Sequence, residues 1–391
     1  MTSSDRKSSK SAPESGGAPQ KLPDIIQAPA DRPLTPDAKF VPESQIEELR
    51  AKRVPTTFKG CTQLYQLFVK SNGMISCSCM RYWDILADTR DIDAGEFFNG
   101  KIMQFIRECF AQGYEPFSFC EGCPSRLSSF DSTDHIYKWI DLHIEPSNQC
   151  NLFCEACLCT YERSTENTPA RLSLEYELYE KTLREVHRAG LSLRNLALVG
   201  FGEPLFNSRT PDMARFAREL FPNAYIFVDT NANFGKRRAE ELADCGIDEI
   251  RLALDGVDQS SYETYRRSGK FDRVLQFGRD LAQAIRTTNS RTRALWKYIL
   301  FNHNDSDEQI LTAVRLAAQT GIPIAFDGTV GQNASLRTSA ELEALVGKPF
   351  GCNIDPTSTE GKILPLPEPE EGSALWRRIM RFRNRSVPTI T

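Results

Sequence analysis

Three thiols stand at intervals of four and three in the stretch CNLFCEAC, at Cys150, Cys154 and Cys157. A disulfide takes two sulfurs and a structural zinc site takes four. The nearby Cys159 makes a poor fourth ligand, because a single residue separates it from Cys157. An iron–sulfur cube accepts three protein thiolates when something else binds its remaining iron, so this spacing points to a cluster with an open coordination position. A second group, Cys61, Cys77, Cys79, Cys109, Cys120 and Cys123, precedes the loop, and of the 12 cysteines just Cys245 and Cys352 lie far downstream. Thiols clustered in this way mark metal sites more often than disulfides in a reducing compartment.

The elements that must position the loop follow from periodicity. Strand patterns occur at 137–144, 195–199, 225–228, 249–254, 295–301 and 323–326. Helical patterns separate them at 174–189, 212–220, 236–245, 271–285 and 306–320, the last with Asp305 as its N-cap. Such βα repeats predict an α/β fold with a parallel sheet and right-handed crossovers, either open or curled into a barrel. In both arrangements chemistry gathers at the carboxyl ends of the strands. The three thiols follow the first strand at that end. Upstream, 64–70 and 74–79 read as a hairpin about Ser71, Asn72 and Gly73. The segment 101–112 reads as a helix with Ile102, Phe105, Ile106, Cys109 and Phe110 on one face, which assigns Cys109 to the core.

At 391 residues, 40% hydrophobic and 26% charged, the chain has the composition of a soluble globular protein with room for a large domain and a smaller one. Its net charge of −4 supplies no basic surface for nucleic acid, so a small ligand or a protein partner is expected instead. No run approaches the roughly 20 apolar residues of a membrane span, and the start lacks the apolar core of a signal peptide, which together predict a cytoplasmic location. Residues 1–45 are rich in Ser, Pro, Ala, Gly and Lys and read as a disordered tail. A cysteine-rich segment at 57–128 and the βα repeats at 137–327 follow. Residues 328–391 form an extension whose LPLPEPEEG run reads as a linker and whose basic WRRIMRFRNR run reads as a solvated helix. His135 and His143, flanking the first βα strand, read as structural.

The loop Cys150-x3-Cys154-x2-Cys157 resembles the cluster loop of radical SAM enzymes. Three later segments resemble the same family in the same order: Gly200-Phe201-Gly202-Glu203-Pro204 after the second strand, Asp229-Thr230-Asn231 after the third and Leu254-Asp255-Gly256 after the fourth. The resemblance spans 139–327 and implies a partial (βα)6 barrel. It also implies a [4Fe–4S] cluster on the three cysteines, with S-adenosyl-L-methionine chelating the open iron. The segment with Gly200, Gly202, Glu203 and Pro204 would receive the methionine amino group, Glu203 taking the ammonium, while Thr230, Asn231 and Asp255 would lie near the cofactor. The residue before the third cysteine is often aromatic in that family and is Ala156 here, which leaves the adenine to Phe153 or to a later strand.

The N-terminal block carries a second resemblance. Cys61, Gly73, the pair Cys77 and Cys79, Cys120-x2-Cys123 with Pro124, and the segment EFFNGKIMQFIRECFAQGY are similar to a SPASM or Twitch auxiliary-cluster domain, preceding the barrel here although it normally follows it. That implies a second [4Fe–4S] cluster on Cys61, Cys120, Cys123 and one of Cys77 and Cys79, which alternate onto the same strand face. Cys352 is a candidate late ligand or a core residue. Two thiol pairs also suit zinc, so a zinc ribbon is the alternative for this block.

The resemblance implies an enzyme that cleaves S-adenosylmethionine reductively and uses the 5′-deoxyadenosyl radical to take a hydrogen atom from substrate. An electron donor such as flavodoxin or ferredoxin would serve it. The auxiliary domain suggests a peptide or protein substrate, with a sugar, nucleotide or other small metabolite as the alternative. A reading from another class is a non-enzymatic, zinc-stabilised interaction protein with a degenerate barrel. The intact cysteine loop together with Glu203 favours the enzyme.

Overall fold

A computed structural model describes residues 43–78, 81–130, 136–154, 157, 172–329 and 333–355. The tail to residue 42, Cys79, His135, Ala156, Cys159 and the linker and basic run after 355 lie outside these residues. At the end of the expected tail, Glu43–Gln45 form a single 3-10 turn that leads into helix α1 (Ile46–Lys52), whose Ile46 is buried.

The N-terminal block contains strands β1 (Val54–Pro55), β2 (Gly60–Cys61), β3 (Gln66–Val69), β4 (Met74–Ser78) and β5 (Arg81–Asp88), then helices α2 (Ala94–Phe98) and α3 (Lys101–Ala111), then β6 (Tyr114–Glu115) and β7 (Arg126–Leu127). The β3–β4 hairpin turns at Gly73, whose φ of 83° favours a residue without a Cβ. Cys109 lies fully buried in α3, as its helical face predicts.

Six strands follow: β8 (Trp139–Ile144), β9 (Ser192–Leu198), β10 (Tyr225–Thr230), β11 (Glu249–Ala253), β12 (Arg293–Ile299) and β13 (Ile324–Asp327). Each pairs in parallel with its sequence neighbour, the arrangement the βα repeats call for. Helices α4 (Tyr176–Arg188), α5 (Thr210–Leu220), α6 (Lys236–Ala243), α7 (Gln259–Tyr265), α8 (Phe271–Thr288) and α9 (Asp307–Thr320) lie between or after them, and α10 (Ser339–Val346) comes last. The N-cap of α9 is Ser306, which accepts from the Gln309 N–H, and not the expected Asp305. Asp305 instead accepts from the Ser335 hydroxyl at 2.6 Å.

The two cysteine groups are not carried on separate sheets. Strand β3 pairs in parallel with β8, so the hairpin and β5 extend the barrel sheet to nine strands in the order β13-β12-β11-β10-β9-β8-β3-β4-β5. The sheet is therefore mixed, with an N-terminal β/α sub-domain continuing a parallel set that has the strand order of a partial barrel. Helix α2 fastens the same block to α4: Gly95 lies so close that an added Cβ would come within 2.5 Å of the Glu185 carbonyl oxygen, and the Ala94 N–H donates to the Glu185 carboxylate at 3.0 Å.

Strand alternation gives the sheet two unlike faces. One carries Leu67, Leu142, Ile144, Leu196, Leu198, Ile226, Val228, Ile250, Leu252 and Trp296, all nearly or fully buried. Leu252, Leu254 and Trp296 line a small apolar cavity with Val274, Leu275 and Gly278 of α8, so this face lies beneath the helices. Register carries the other face from Phe68 through His143, Ala197, Phe227 and Glu249 to Arg293. This face is charged. Among the described residues no helix is long and apolar enough to cross a membrane.

Candidate functional site

The cysteine loop leaves the carboxyl end of β8, and each thiol meets a residue from a different part of the sheet's carboxyl edge. The Cys150 Sγ lies 3.5 Å from the Asn231 amide nitrogen, just past β10, and accepts from the Leu152 N–H at 3.4 Å. The Cys154 Sγ accepts from Arg266 Nη1 at 3.7 Å. The Cys157 thiol points at the Phe201 carbonyl oxygen, beyond β9, at 4.0 Å. Burial raises the Cys154 thiol above its ordinary value and the Arg266 guanidinium works in the opposite direction. A cation and an amide N–H beside these sulfurs favour an anionic occupant.

Arg266 is itself held. Its Nε donates to the fully buried Asp255 at 2.6 Å, and Asp255 also accepts from the Ile299 N–H at 2.7 Å. Burial works against the charge of Arg266, yet Asp255 and Cys154 keep its proton bound well above the ordinary arginine range. Asp255, expected near the cofactor, thus acts on the site by orienting a cation. Its neighbour Gly256 is needed because an added Cβ would fall 2.4 Å from the Tyr262 backbone nitrogen.

The second motif is similarly turned inward. Gly200 and Gly202 were expected to admit a ligand; what they admit is the chain itself. A Cβ on Gly200 would sit 2.2 Å from Glu145 Cγ, and one on Gly202 would sit 2.3 Å from the Ser147 carbonyl oxygen. The two glycines let the turn after β9 press on the segment that leads to Cys150. Glu203 is 3% exposed and accepts three hydrogen bonds, from the Leu205 N–H at 3.1 Å, the Thr230 hydroxyl at 2.6 Å and the Asn231 N–H at 2.7 Å. Burial pushes its carboxyl up to about 7, against the pull of those donors. Pro204 starts a 3-10 turn over Pro204–Phe206. Glu203 and Thr230 therefore brace the ends of β9 and β10, and Asn231 reaches from that brace to Cys150 and to the Asn151 side-chain Oδ1 at 2.8 Å. Phe153, within the loop, is 45% exposed.

Two contributors carry no motif in the sequence. Arg266 is one. The other is Glu145, fully buried at the root of the cysteine loop, which accepts from the Ser71 N–H at 3.1 Å, the Ser71 hydroxyl at 2.8 Å and the Phe201 N–H at 2.8 Å. It joins the N-terminal hairpin turn to the turn after β9. A buried carboxylate at a strand end was the available signal, since such a group must find partners.

In the N-terminal block, Cys61, Cys120 and Cys123 are buried and Cys77 is partly so. Burial, followed by the neighbouring Cys120 and Cys123 thiols, raises Cys61, and burial with Cys61, Cys120 and Cys123 raises Cys77. The Cys61 and Cys77 thiols thus lie within the influence of Cys120 and Cys123, while Cys79 lies outside the described residues. Cys352 lies past β13, at the opposite end of the strand order from this block. Among the described residues no three His, Cys, Asp or Glu side chains gather closely enough to hold a single metal ion. A zinc ion would draw its sulfurs to about 2.3 Å from one centre. A cube, which anchors each thiolate on a different iron, spreads them more widely.

Residues 144–293 match the family model described as the Radical SAM superfamily. Among curated proteins, the chain is 26% identical over 143 residues to a GTP 3′,8-cyclase of Chlorobaculum tepidum, covering 36% of this chain and 41% of that protein. It is 31% identical over 120 residues to the FeMo cofactor biosynthesis protein NifB of Azotobacter vinelandii, covering 30% of this chain and 24% of that one. The aligned segment spans about two fifths of the length of the first of these. Among solved structures, native anSMEcpe with bound AdoMet aligns at 15% identity with a TM-score of 0.39, over 55% of this chain and 69% of that one. The family match begins at the last residue of β8 and runs through the cysteine loop and the three following strand ends, so this segment, short of half the chain, is similar to the radical SAM superfamily.

Proposed function

We propose that the chain binds a [4Fe–4S] cluster through Cys150, Cys154 and Cys157, binds S-adenosylmethionine at the open iron, and abstracts hydrogen from a substrate held on the charged face of the sheet. The observation that carries this reading is the convergence on one loop of three partners from three later segments, the Phe201 carbonyl oxygen after β9, Asn231 after β10 and Arg266 at the end of α7. When bound, the cluster and its cofactor supply the electron and the 5′-deoxyadenosyl radical. The protein's own part is placement. Asn231 and Arg266 offset thiolate charge, Asp255 fixes Arg266, and Glu203 with Thr230 keeps the β9 and β10 turns in register with the loop. Such supporting partners fix first the ligands and through them the metal.

The same reading gives the N-terminal block an auxiliary [4Fe–4S] cluster on Cys61, Cys77, Cys120 and Cys123, supported by the mutual influence of these buried thiols. A zinc ribbon is less well supported, since no three of the described ligands close on one ion. Anaerobic reconstitution is expected to give brown protein with about eight irons per chain, four for each cluster. Reduced with dithionite and given S-adenosylmethionine, it should release 5′-deoxyadenosine and methionine slowly without substrate. Fully iron-loaded protein that makes no 5′-deoxyadenosine, or colourless protein loaded with zinc, would overturn the proposal.

A further inference from the structure

The charged face carries polar groups that make no hydrogen bond among the described residues. Asp229 is the penultimate residue of β10 on this face, immediately before Thr230 and Asn231 of the site, and its buried Oδ1 has no hydrogen-bond partner among those residues. The nearest cation to that oxygen is Arg251, an ion pair at 3.6 Å, and Arg251 leans instead on Glu249 at 2.6 Å. Lys297 on β12 stands between two carboxylates, 3.8 Å from Asp229 and 3.6 Å from Asp327, separations beyond a direct hydrogen bond. Nearby on the same face, the buried Nε2 of His143 also has no partner. Burial costs such groups their water, so unpartnered ones in one place call for an explanation, and a missing ligand is the simplest.

Charge decides which ligand. Asp229, Glu249 and Asp327 face Arg251, Arg293 and Lys297, an even balance in which every cation already has a carboxylate within 4 Å. A nucleoside triphosphate would bring about four negative charges against cations that are all engaged, leaving like charges opposed at low dielectric. A neutral ligand could hydrogen-bond to the Asp229 oxygen and the Lys297 ammonium but would bring no charge to either. A ligand with one charge of each sign suits both. An α-amino acid has its ammonium and carboxylate joined through a single carbon, which matches an Asp229 and Lys297 pair set 3.8 Å apart with the signs reversed.

We propose that this face binds the zwitterionic head group of an amino-acid substrate, its ammonium on Asp229 and Asp327 and its carboxylate on Lys297. The inference rests on the radical reading above only for its statement that the bound molecule is the substrate. The face adjoins the cysteine site through its own strands. Asp229 is followed by the Glu203 brace, and the Lys297 carbonyl oxygen accepts from the Leu254 N–H at 3.3 Å, one residue before Asp255.

The test titrates each free proteinogenic L-α-amino acid, and GTP in parallel, into full-length reconstituted protein saturated with S-adenosylmethionine, by equilibrium dialysis. At least one amino acid is expected to bind with a Kd of about 1 mM or tighter, and GTP is not. Lys297→Met and Asp229→Asn should each weaken that binding at least tenfold, the near-isosteric Asp229→Asn standing in if Lys297→Met fails to fold. The proposal is overturned if no amino acid binds, if GTP binds as tightly, or if neither folded variant alters affinity. Iron-loaded wild type that makes 5′-deoxyadenosine but binds no amino acid sinks this inference alone. Binding of an amino acid by protein that cleaves no cofactor sinks the radical reading alone.

Discussion

The two cysteine groups share one sheet and differ in what surrounds their sulfur. In the N-terminal block the influences on Cys61 and Cys77 are burial, other thiols and the acidic Asp84. In the barrel loop, Arg266 stands against Cys154 and the Asn231 amide against Cys150. The Cys61 and Cys77 thiols, with no cation among their main influences, belong to a closed set, which on the proposed reading suits a fully ligated cluster that stores or passes an electron. In the loop, donors meet Cys150 and Cys154, a carbonyl oxygen faces Cys157 and Phe153 is exposed, an open set where the proposed cofactor would reach metal. The difference lies less in the cysteines than in the residues sent to meet them from other strands.

Removing each set separately should break the comparison most visibly. A Cys150→Ala, Cys154→Ala, Cys157→Ala variant should keep about four of about eight irons and lose 5′-deoxyadenosine formation by at least about a thousandfold, the scale expected when a required cofactor site is lost. A Cys120→Ser, Cys123→Ser variant should also keep about four irons, but with the remaining cluster still giving a spectroscopic response to S-adenosylmethionine. Iron analysis and electron paramagnetic resonance on both variants check this. Equal cofactor response in the two would erase the distinction between closed and open sets.

A smaller effect is expected at the cation that marks the open set. Arg266→Met strands a fully buried Asp255, and Asp255→Asn strands a buried Arg266, so each should cost about 3–5 kcal/mol of stability. The double variant, having neither charge, should cost clearly less than the sum. Denaturant unfolding of the four proteins measures the coupling, and strict additivity would show that the pair does not act as a unit.

The smallest effect concerns pH. Glu203 has its carboxyl raised from 4.5 to about 7, so the fold favours its protonated form. The stability this contributes is complete below about pH 4.5 and is lost as pH rises through about 7, on the order of 3 kcal/mol across that window. Glu203→Gln should flatten this part of the stability profile, measured by denaturant unfolding at several pH values. An unchanged slope would mean that another group titrates there.

Much of this was legible in the chain. The parallel strands lie near the positions their apolar runs indicate, because strand patterning is local. The cysteine loop could be read because its three ligands fall within eight residues of one another. What escaped reading depends on contacts between distant segments. Nothing around Arg266 announces that it will meet Cys154, and nothing in the hairpin at 64–79 shows that its edge will pair with β8. A glycine marks a place of close approach without naming what approaches, and at Gly200 and Gly202 the approaching body is the chain's own Glu145 and Ser147. Asp305, the expected cap of α9, accepts instead from Ser335, and Ser306 caps the helix.

The pairing of β3 with β8 also bears on how the protein is made. During synthesis β3 emerges with its hairpin partner long before β8 exists, and until then one of its edges has no strand to bond with. Open edges of that kind invite pairing with other chains. Its Glu145 tie to Ser71 and its α2 contact with Glu185 likewise wait for later segments. The N-terminal block can therefore complete these contacts only against the barrel, and loading of either proposed cluster would wait for β8. A chain halted before that strand would present an uncovered edge and a set of reduced thiols together, the form most in need of a chaperone's protection.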